Sequence, residues 1–428
     1  MSRHHQRVGF LATAGIATAL LAGTAGTAGV GAQDQVEFSL YDLHNLDPGM
    51  TFIKNTVDSY MAAHPNVKIN LTVLENTALK EKISAEMQSG HPPDLFQSWG
   101  GGTLAQQVAA GLVQPIDAQI ADVKDNVNAA GLSMTQVDGK QYGMPYNLGV
   151  VGLWYNKDLF QQAGISGPPA TWDELLADVQ TLKDKGIVPI SLAAEAANTW
   201  TAMFWWAYLA VRICGQDGLN TAITTGDWTA DCFVKAGDAF KQLIDLEPFQ
   251  PGFQAAVHDA QEGEFGNGKA AMMLQGGWAA GAQKSNSESG NGIGDALAWA
   301  PFPSVAGGAG LPTDVFGGGD NFAVGRDAPK EAVDFLKYLT TDPTVIKNWV
   351  ALNDGTLPTL NGSESLITDP NLTSILQARK SASFAQGFLD QVTSPAIGQA
   401  INDAVGGLVA GALSPQEVTQ SITDAAKS

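Results

Sequence analysis

The sequence predicts an α/β fold, because strand and helix patterns alternate through the early part of the chain. Residues 36–41 and 67–73 alternate apolar and polar side chains, which is the period of a strand with one buried face. Helical patterns cover 50–64 and 78–88, one after each of these strands. Strands connected by helices pair in parallel, so a parallel sheet is expected here. A length of 428 residues favours two or three domain-sized units.

Residues that interrupt regular structure bound the next elements. Gly90 and the Pro92-Pro93 pair end the second helix, because neither residue type continues a helix. A short strand over 94–97 follows, and the glycines that begin at Gly100 open another helix.

The pattern then indicates a second lobe. Residues 139–151 are expected to cross into it in an extended form, and a strand at 151–155 begins it. Thr171 and Glu174 form a capping box, which predicts the start of a helix. Helical patterns dominate from there to about residue 260.

The remaining chain is expected to cross back and then to be mostly helical. The glycine-rich stretch 307–319 is the predicted second crossing, and 329–340 is a strongly amphipathic helix. Helical patterns continue to residue 426, with a break near Ser394 and Pro395.

The first 32 residues have the pattern of a signal peptide. Arg3 and Arg7 precede an apolar stretch over 8–21, and small residues end at Ala32, after which cleavage is expected. Thr24 stands where a lipid-anchored protein needs a cysteine. The chain is therefore expected to be exported, periplasmic or extracellular, and without a lipid anchor.

Composition excludes some partners and predicts one covalent link. The formal net charge is −20, and an acidic surface disfavours nucleic acid, which needs clustered Lys and Arg. Cys214 and Cys232 are the two cysteines of the chain. In an oxidising compartment they are expected to form a disulfide, with two free buried thiols as the alternative.

One segment has a distinctive order of residues. It contains a glycine turn, an apolar strand, a glycine pair and then a tryptophan, in Phe265-Gly-Asn-Gly-Lys-Ala-Ala-Met-Met-Leu-Gln-Gly-Gly-Trp278. This order suits an aromatic face held at the rim of a cleft by a rigid strand. Trp154-Tyr-Asn-Lys-Asp158 and Pro169-Ala-Thr-Trp172-Asp-Glu-Leu are equally distinctive. Together these segments resemble the family 1 extracellular solute-binding proteins of ABC sugar importers. The segment Phe96–Gly102 and the Trp205-Trp206 pair are similar to the branch that binds xylobiose and xylo-oligosaccharides.

The resemblance implies a two-lobed periplasmic-binding-protein fold of type II, with a hinge between the lobes. The expected segments are 33–143 for the first lobe, 144–311 for the second, 312–348 for a return to the first and 349–428 for C-terminal helices of the second. The implied partners are a small oligosaccharide and the permease subunits of an ABC transporter. The implied protein is a monomer that needs no cofactor and performs no chemistry on the sugar.

Aromatic and polar side chains are the candidates for sugar binding, because sugars offer flat C–H faces rimmed by hydroxyls. The aromatic candidates are Trp99, Trp205 and Trp278, for which core packing is the alternative. The other candidates follow strands or lie near the crossings, and a cap or turn role is their alternative. These are Asn45, Asn76, Gly100, Tyr146, Asp320, Asn321 and Asp390.

The enzyme motifs considered are incomplete or absent in the sequence. Residues 263–270 mimic a phosphate-binding loop but lack the hydroxyl residue that follows its lysine. The sequence has no Gly-x-Ser-x-Gly elbow and no zinc motif. Two alternatives to sugar transport remain open at this point, namely a secreted carbohydrate-active enzyme and a binding protein for a non-sugar solute.

Overall fold

A computed structural model describes residues 35–352 and 355–427 of the chain. The signal peptide predicted for residues 1–32 lies outside the described residues. Within the described ranges, no helix has both the length and the apolar character that a membrane span requires.

The described elements fall into four runs along the chain. The first run is β1 (Val36–Asp42), α1 (Gly49–Ala63), β2 (Val67–Val73), α2 (Asn76–Ser89), β3 (Leu95–Ser98), α3 (Gly101–Ala109), α4 (Ala129–Met134), β4 (Gln136–Val137), β5 (Lys140–Gln141) and β6 (Gly143–Pro145). The second run is β7 (Asn147–Leu148), β8 (Gly152–Asn156), α5 (Lys157–Ala163), α6 (Trp172–Asp184), β9 (Val188–Ile190), α7 (Trp200–Thr225), α8 (Asp231–Asp245), α9 (His258–Gly266), β10 (Ala270–Gln275), α10 (Ala279–Ser285) and β11 (Leu297–Ala300). The third run is β12 (Val315–Phe316), β13 (Asn321–Val324), α11 (Lys330–Thr341) and α12 (Pro343–Leu352). The last run is β14 (Leu357–Pro358), α13 (Pro370–Ser381), β15 (Ala385–Gln386), α14 (Leu389–Val392), α15 (Pro395–Val409) and α16 (Pro415–Ala426).

The first lobe is built on a five-stranded sheet with the order β2-β1-β3-β13-β6. The parallel sheet predicted from the early pattern is confirmed for β2, β1 and β3. Strand β13 is antiparallel to β3, because it enters the sheet at the end where β3 stops, with Asn321 opposite Ser98. Helices α1, α11 and α12 pack on one face around Phe38 and Phe335, and α2 and α3 pack on the other around Phe96.

The second lobe has a four-stranded mixed sheet, with the order β11-β8-β10-β9. Its main core surrounds α7, which is buried on all sides from Thr201 to Arg212. Helices α8, α15 and α16 complete that core. The helix-rich second lobe expected from the sequence therefore arises because one apolar helix needs cover on its whole circumference.

Three segments connect the lobes, and we refer to them as the first, second and third crossings. The first covers 146–151, between β6 of one sheet and β8 of the other. The second covers 317–320 and leads into β13, and the third covers 355–360 and includes β14. Short ladders tie the crossings into the fold, since β14 pairs with β7 and β12 pairs with β15.

One expected boundary is misplaced. The return to the first lobe was expected to end at residue 348, but α12 continues to Leu352 and stays with that lobe. Trp349 packs against Phe52 and Tyr146 in the core of the first lobe, with ring centroids 5.2 and 5.3 Å away. The third crossing therefore begins after α12.

The predicted disulfide is confirmed. Cys214 of α7 and Cys232 of α8 are bonded, with their Cα atoms 5.1 Å apart. The link joins two helices of the same lobe.

Candidate ligand-binding site

A cavity of about 230 Å³ lies where the crossings meet the strand ends of the first lobe. It is several times larger than the space of one water molecule. Three groups of residues line it. The first lobe contributes Leu43, His44, Asn45, Leu46, Asp47, Pro48, Gly49, Glu75, Asn76, Lys80 and Trp99; the crossings contribute Asn147, Gly149, Gly318, Gly319, Asp320 and Thr356; the second lobe contributes Trp200, Phe204, His258, Asp259, Trp278, Gly281, Ala282, Ser285, Asn286, Phe388, Asp390 and Gln391.

The floor of the cavity is a hydrogen-bonded junction between two crossings. Asn147 Nδ2 donates to Asp320 Oδ2 at 2.9 Å, and the Asp320 backbone N–H donates to Asn147 Oδ1 at the same distance. Gln97 Nε2 donates to the other carboxylate oxygen at 2.8 Å. Burial raises the pKa of Asp320, while the hydrogen bond from Asn147 opposes the rise. Asp320 therefore holds the floor together as well as lining the cavity.

A second set of hydrogen bonds connects β1 with the first crossing. The Asp42 carboxylate accepts hydrogen bonds from the backbone N–H and the ring Nδ1 of His44, at 2.7 and 2.8 Å. The other ring nitrogen of His44 lies 3.1 Å from the Tyr146 hydroxyl. Both ring nitrogens are thus engaged, so His44 links Asp42 of β1 to Tyr146 of the first crossing.

The wall of the first lobe is polar and carries one tryptophan. Trp99 directly follows β3, and the Lys80 ammonium lies 4.5 Å from the centre of its ring. Asn45 follows β1, and Asn76 begins α2, where the adjacent Glu75 caps the helix. Among the described residues, neither amide side chain makes a hydrogen bond, so both amides are available to a ligand.

The wall of the second lobe is a continuous aromatic surface. Phe204 is at its centre, with ring centroids 5.1 Å from Trp200 and 6.3 Å from Trp278. Phe388 stacks on Phe204 at 5.3 Å and meets Trp278 edge-on at 6.1 Å. Trp200 and Trp278 remain partly exposed to the cavity, whereas Phe204 and Phe388 are almost fully buried. The buried pair thus supports the two exposed tryptophans.

Local backbone geometry explains how Trp278 reaches the cavity. Strand β10 is fully buried and ends at Gln275, and Trp278 precedes α10. A Cβ on Gly276 would lie 2.1 Å from the Trp278 ring, and a Cβ on Gly277 would lie 1.8 Å from the Gly355 carbonyl oxygen. The glycine pair therefore lets the indole fold over its own backbone and lets the third crossing pass beside it.

A buried charge pair lies in the same wall. His258 begins α9, and its Nε2 is 3.2 Å from Oε1 of Glu262, a side chain with no exposed surface. Its Nδ1 is 3.4 Å from the Asp259 carboxylate. Burial lowers the pKa of His258, but the neighbouring carboxylates of Asp259 and Glu262 outweigh burial and raise the pKa to about 9. Burial also raises the pKa of Glu262.

Asp390 supplies a carboxylate opposite the first lobe. Its Oδ2 accepts hydrogen bonds from Gln391 Nε2 at 3.0 Å and from Asn402 Nδ2 at 3.4 Å. Within the described ranges its Oδ1 receives none, so this oxygen can accept from a ligand hydroxyl.

The two walls touch at the mouth of the cavity. Ser285 of α10 donates a hydrogen bond of 2.6 Å to the Asp47 carbonyl oxygen of the first lobe. At α3, a Cβ on Gly101 or Gly102 would lie about 2 Å from the carbonyl oxygen of Gln391 or Thr393. The glycines at the start of α3 therefore permit a close approach of the second lobe.

The structure brings six of the predicted site residues to the cavity, and their role as ligand contacts stays a prediction. They are Asn45, Asn76, Trp99, Trp278, Asp320 and Asp390.

Four predicted site residues lie elsewhere and do not line this cavity. Trp205 is fully buried and stacks on Phe240 in the core of the second lobe, because α7 is covered on every side. Tyr146 is in the core of the first lobe, where it braces His44.

Backbone packing explains the other two. The Asn321 side chain is fully buried and donates to the Gly319 carbonyl at 3.2 Å. Gly100 packs on α4, where a Cβ would lie 1.9 Å from the Met134 carbonyl oxygen.

Sequence reasoning missed three aromatic or cationic residues of the second wall, namely Trp200, Phe204 and His258. Trp200 and Phe204 are four residues apart, the spacing at which side chains meet on one face of a helix. That spacing was a usable signal, but the adjacent tryptophans of α7 obscured it. In the described parts of the chain, no cluster of His, Cys, Asp and Glu side chains could hold a metal ion.

Comparison with known proteins agrees with this architecture. The family model for bacterial extracellular solute-binding proteins matches residues 45–345. A structure solved in work on xylan utilisation by Caldanaerobius polysaccharolyticus superposes with a TM-score of 0.85 at 27% sequence identity, covering 91% of this chain and 99% of that one. The two-lobed α/β fold expected from the sequence is therefore confirmed.

Two sequence relatives extend the comparison. The maltotriose-binding protein of Pyrococcus abyssi is 26% identical over 340 residues, which are 77% of this chain and 67% of that protein. A protein of Brucella abortus described as a binding protein is 28% identical over 228 residues, 52% of this chain. The match spans about half, 54%, of the Brucella protein. Both relatives are described as binding proteins. The family that this chain matches is one of solute-binding proteins, in agreement with the expectation that the chain is not an enzyme.

Proposed function

This chain belongs to the family of bacterial extracellular solute-binding proteins, and we propose that it captures a small oligosaccharide between its lobes. The observation that carries the proposal is that one cavity contains both exposed tryptophan faces and amide and carboxylate groups that can form further hydrogen bonds. A sugar ring needs both, because its faces are apolar and its rim is a ring of hydroxyls.

The aromatic faces come from both lobes. Trp99 lies on the first wall, and Trp200 and Trp278 lie on the second. A ligand held between the walls contacts both lobes at once, so its binding energy favours the arrangement in which the lobes touch.

The hydroxyl partners are also divided between the lobes. Asn45 and Asn76 supply amides from the first wall, and Asp390 supplies a carboxylate oxygen from the second. Asp320 has both oxygens engaged by Gln97 and Asn147, so its main contribution is to fix the floor.

Xylobiose and short xylo-oligosaccharides are the sugars that we propose to test first. Their support is the relative solved in work on xylan utilisation, together with the similarity of Phe96–Gly102 to the xylobiose branch. The maltotriose-binding relative makes α-linked glucose oligosaccharides the first comparison set.

Transport completes the proposal. The protein is exported after removal of residues 1–32, acts as a monomer, and delivers the loaded sugar to the permease subunits of an ABC importer. A ligand that bridges both lobes stabilises the arrangement in which the lobes touch. The permease then meets a surface that is less populated in the unloaded protein.

The test is thermal unfolding of the mature protein against xylobiose, xylotriose, maltotriose, cellobiose and diacetylchitobiose, followed by calorimetric titration of the best ligand. A ligand that binds only the native state raises the melting temperature by mass action. A shift with one sugar series supports the proposal. Absence of any shift at millimolar sugar contradicts it and favours the non-sugar alternative.

A further inference from the structure

Glu262 and His258 form a charge pair in the second wall that sugar stacking does not use. The Glu262 side chain has no exposed surface, and His258 is the cation beside it, at 3.2 Å between Nε2 and Oε1. Neither oxygen of Glu262 has a partner with hydrogen-bond geometry among the described residues. A buried carboxylate in this position depends on a nearby positive charge, because otherwise the cost of its desolvation is uncompensated.

The pair lies beside Trp200, and His258 itself also lines the cavity. The centroids of the His258 and Trp200 rings are 5.1 Å apart, with an angle of 38° between their planes. A cation at this distance from an indole face is attracted to the ring. Glu262 is therefore the innermost of the three side chains, and His258 lies between it and Trp200 at the cavity wall.

Hydrogen bonds join the start of α7 to the start of α9 at this point. The His258 N–H donates to Asn198 Oδ1 at 3.1 Å, and Asn198 Nδ2 donates to Glu195 Oε2 at 2.9 Å. Trp200 begins α7 two residues after Asn198, and His258 begins α9. The first turns of α7 and α9 are thus fastened together where Trp200 enters the cavity.

We propose that His258 is a positioning residue, which in its charged form fixes the Trp200 ring in the aromatic wall and so strengthens binding of the sugar. The proposal rests on the proposed function for its ligand. The charged groups around His258 are Asp259 and Glu262 on its own helix, and Glu195 reaches the same corner through Asn198.

The first experiment is a double-mutant cycle with His258→Gln and Trp200→Ala, read by calorimetric titration with the sugar that binds best. If His258 acts through Trp200, His258→Gln weakens binding about three- to fivefold in the natural background. In the Trp200→Ala background the same change has almost no effect. An equal loss in both backgrounds, or no loss in the natural one, overturns the proposal.

A neutralised pair separates positioning from stability. His258→Gln alone leaves Glu262 without its counter-charge and lowers the melting temperature. Adding Glu262→Gln restores the melting temperature, since no buried charge remains, but it does not restore sugar affinity. Recovery of affinity together with stability would mean that the pair is only structural.

A sugar-free measurement keeps the inference testable if no oligosaccharide binds. The indole N–H resonance of Trp200 is assigned by its loss in Trp200→Phe and is then followed with pH. We expect it to shift as His258 loses its proton on the alkaline side of neutrality, where its pKa is about 9, and to stay constant in His258→Gln. A resonance that does not titrate in the natural protein overturns the proposal, whereas failure of every sugar to bind overturns only the proposed function.

Discussion

The two walls of the cavity are made in different ways. The first-lobe wall consists of side chains that directly follow strands or begin helices, such as Asn45, Asn76 and Trp99, and these side chains have few partners. The second-lobe wall consists of rings that support one another, with Phe204 buried beneath Trp200 and Trp278. The difference indicates that a substitution of one polar residue on the first wall leaves the other residues of that wall in place. A substitution of one ring on the second wall disturbs the neighbouring rings as well.

The largest expected effect is on the centre of the aromatic wall. Phe204→Ala removes a ring that is 3% exposed and should lower the free energy of unfolding by about 3–5 kcal/mol. Chemical denaturation measures the loss. Trp99→Ala on the first wall is the comparison, and it should cost far less stability because Trp99 belongs to no buried cluster of the described residues. Equal costs at the two positions would show that the walls do not differ in this way.

The next effect is on affinity. Trp278→Ala should weaken sugar binding about tenfold or more, because stacking contributes roughly 1.5 kcal/mol. Trp278→Phe should keep part of the affinity, since a flat ring remains. Calorimetric titration of both variants decides the matter, and unchanged affinity in Trp278→Ala would remove this residue from the site.

The charge pair of the second wall predicts a loss of stability at alkaline pH. The pKa of His258 in the folded protein, about 9, is above its ordinary value of 6.5. The stability that this raised pKa contributes is therefore fully present below pH 6.5 and is lost as the pH rises through 9. The melting temperature of the natural protein should fall over this range by more than that of His258→Gln/Glu262→Gln. Identical pH profiles would contradict the prediction.

A smaller effect is expected on the first wall. Asn45→Ala should weaken sugar binding by about 0.5–1.5 kcal/mol, the net value of one hydrogen bond. The melting temperature should hardly change, because the Asn45 side chain has no hydrogen-bond partner in the described structure. Asn147→Ala is the contrasting variant, and it should lower the melting temperature because it breaks the junction with Asp320. If Asn45→Ala is as destabilising as Asn147→Ala, Asn45 serves the fold and not the ligand.

The smallest effect concerns the contact between the walls. Ser285→Ala removes the hydrogen bond to the Asp47 carbonyl oxygen and should weaken sugar binding by about 1 kcal/mol or less. Ser374→Ala is the control, because the Ser374 hydroxyl donates only within its own helix, to the Pro370 carbonyl oxygen. A larger effect at Ser374 than at Ser285 would mean that the contact at the mouth does not contribute.

The sequence by itself determined the first three strands of the first lobe, the helices that follow them and the residues at the strand ends. Period-two alternation and glycine or proline breaks are local signals, so they placed β1, β2 and β3 and identified Asn45, Asn76 and Trp99 at the strand ends. The glycine pair before Trp278 was also a local signal, because the indole ring packs against backbone that carries no side chain.

Only the tertiary structure decided which rings of α7 face the ligand. A helix that is apolar all round has no stripe to show which side meets the cavity, and neighbouring helices buried Trp205 while the start of the helix left Trp200 exposed. Burial of Asn321 depended in the same way on pairing with β3, which is distant in the chain but in the same sheet, and burial of Tyr146 depended on α12. Periodicity reports which residues share a face, but contacts between segments far apart in the chain decide what that face meets.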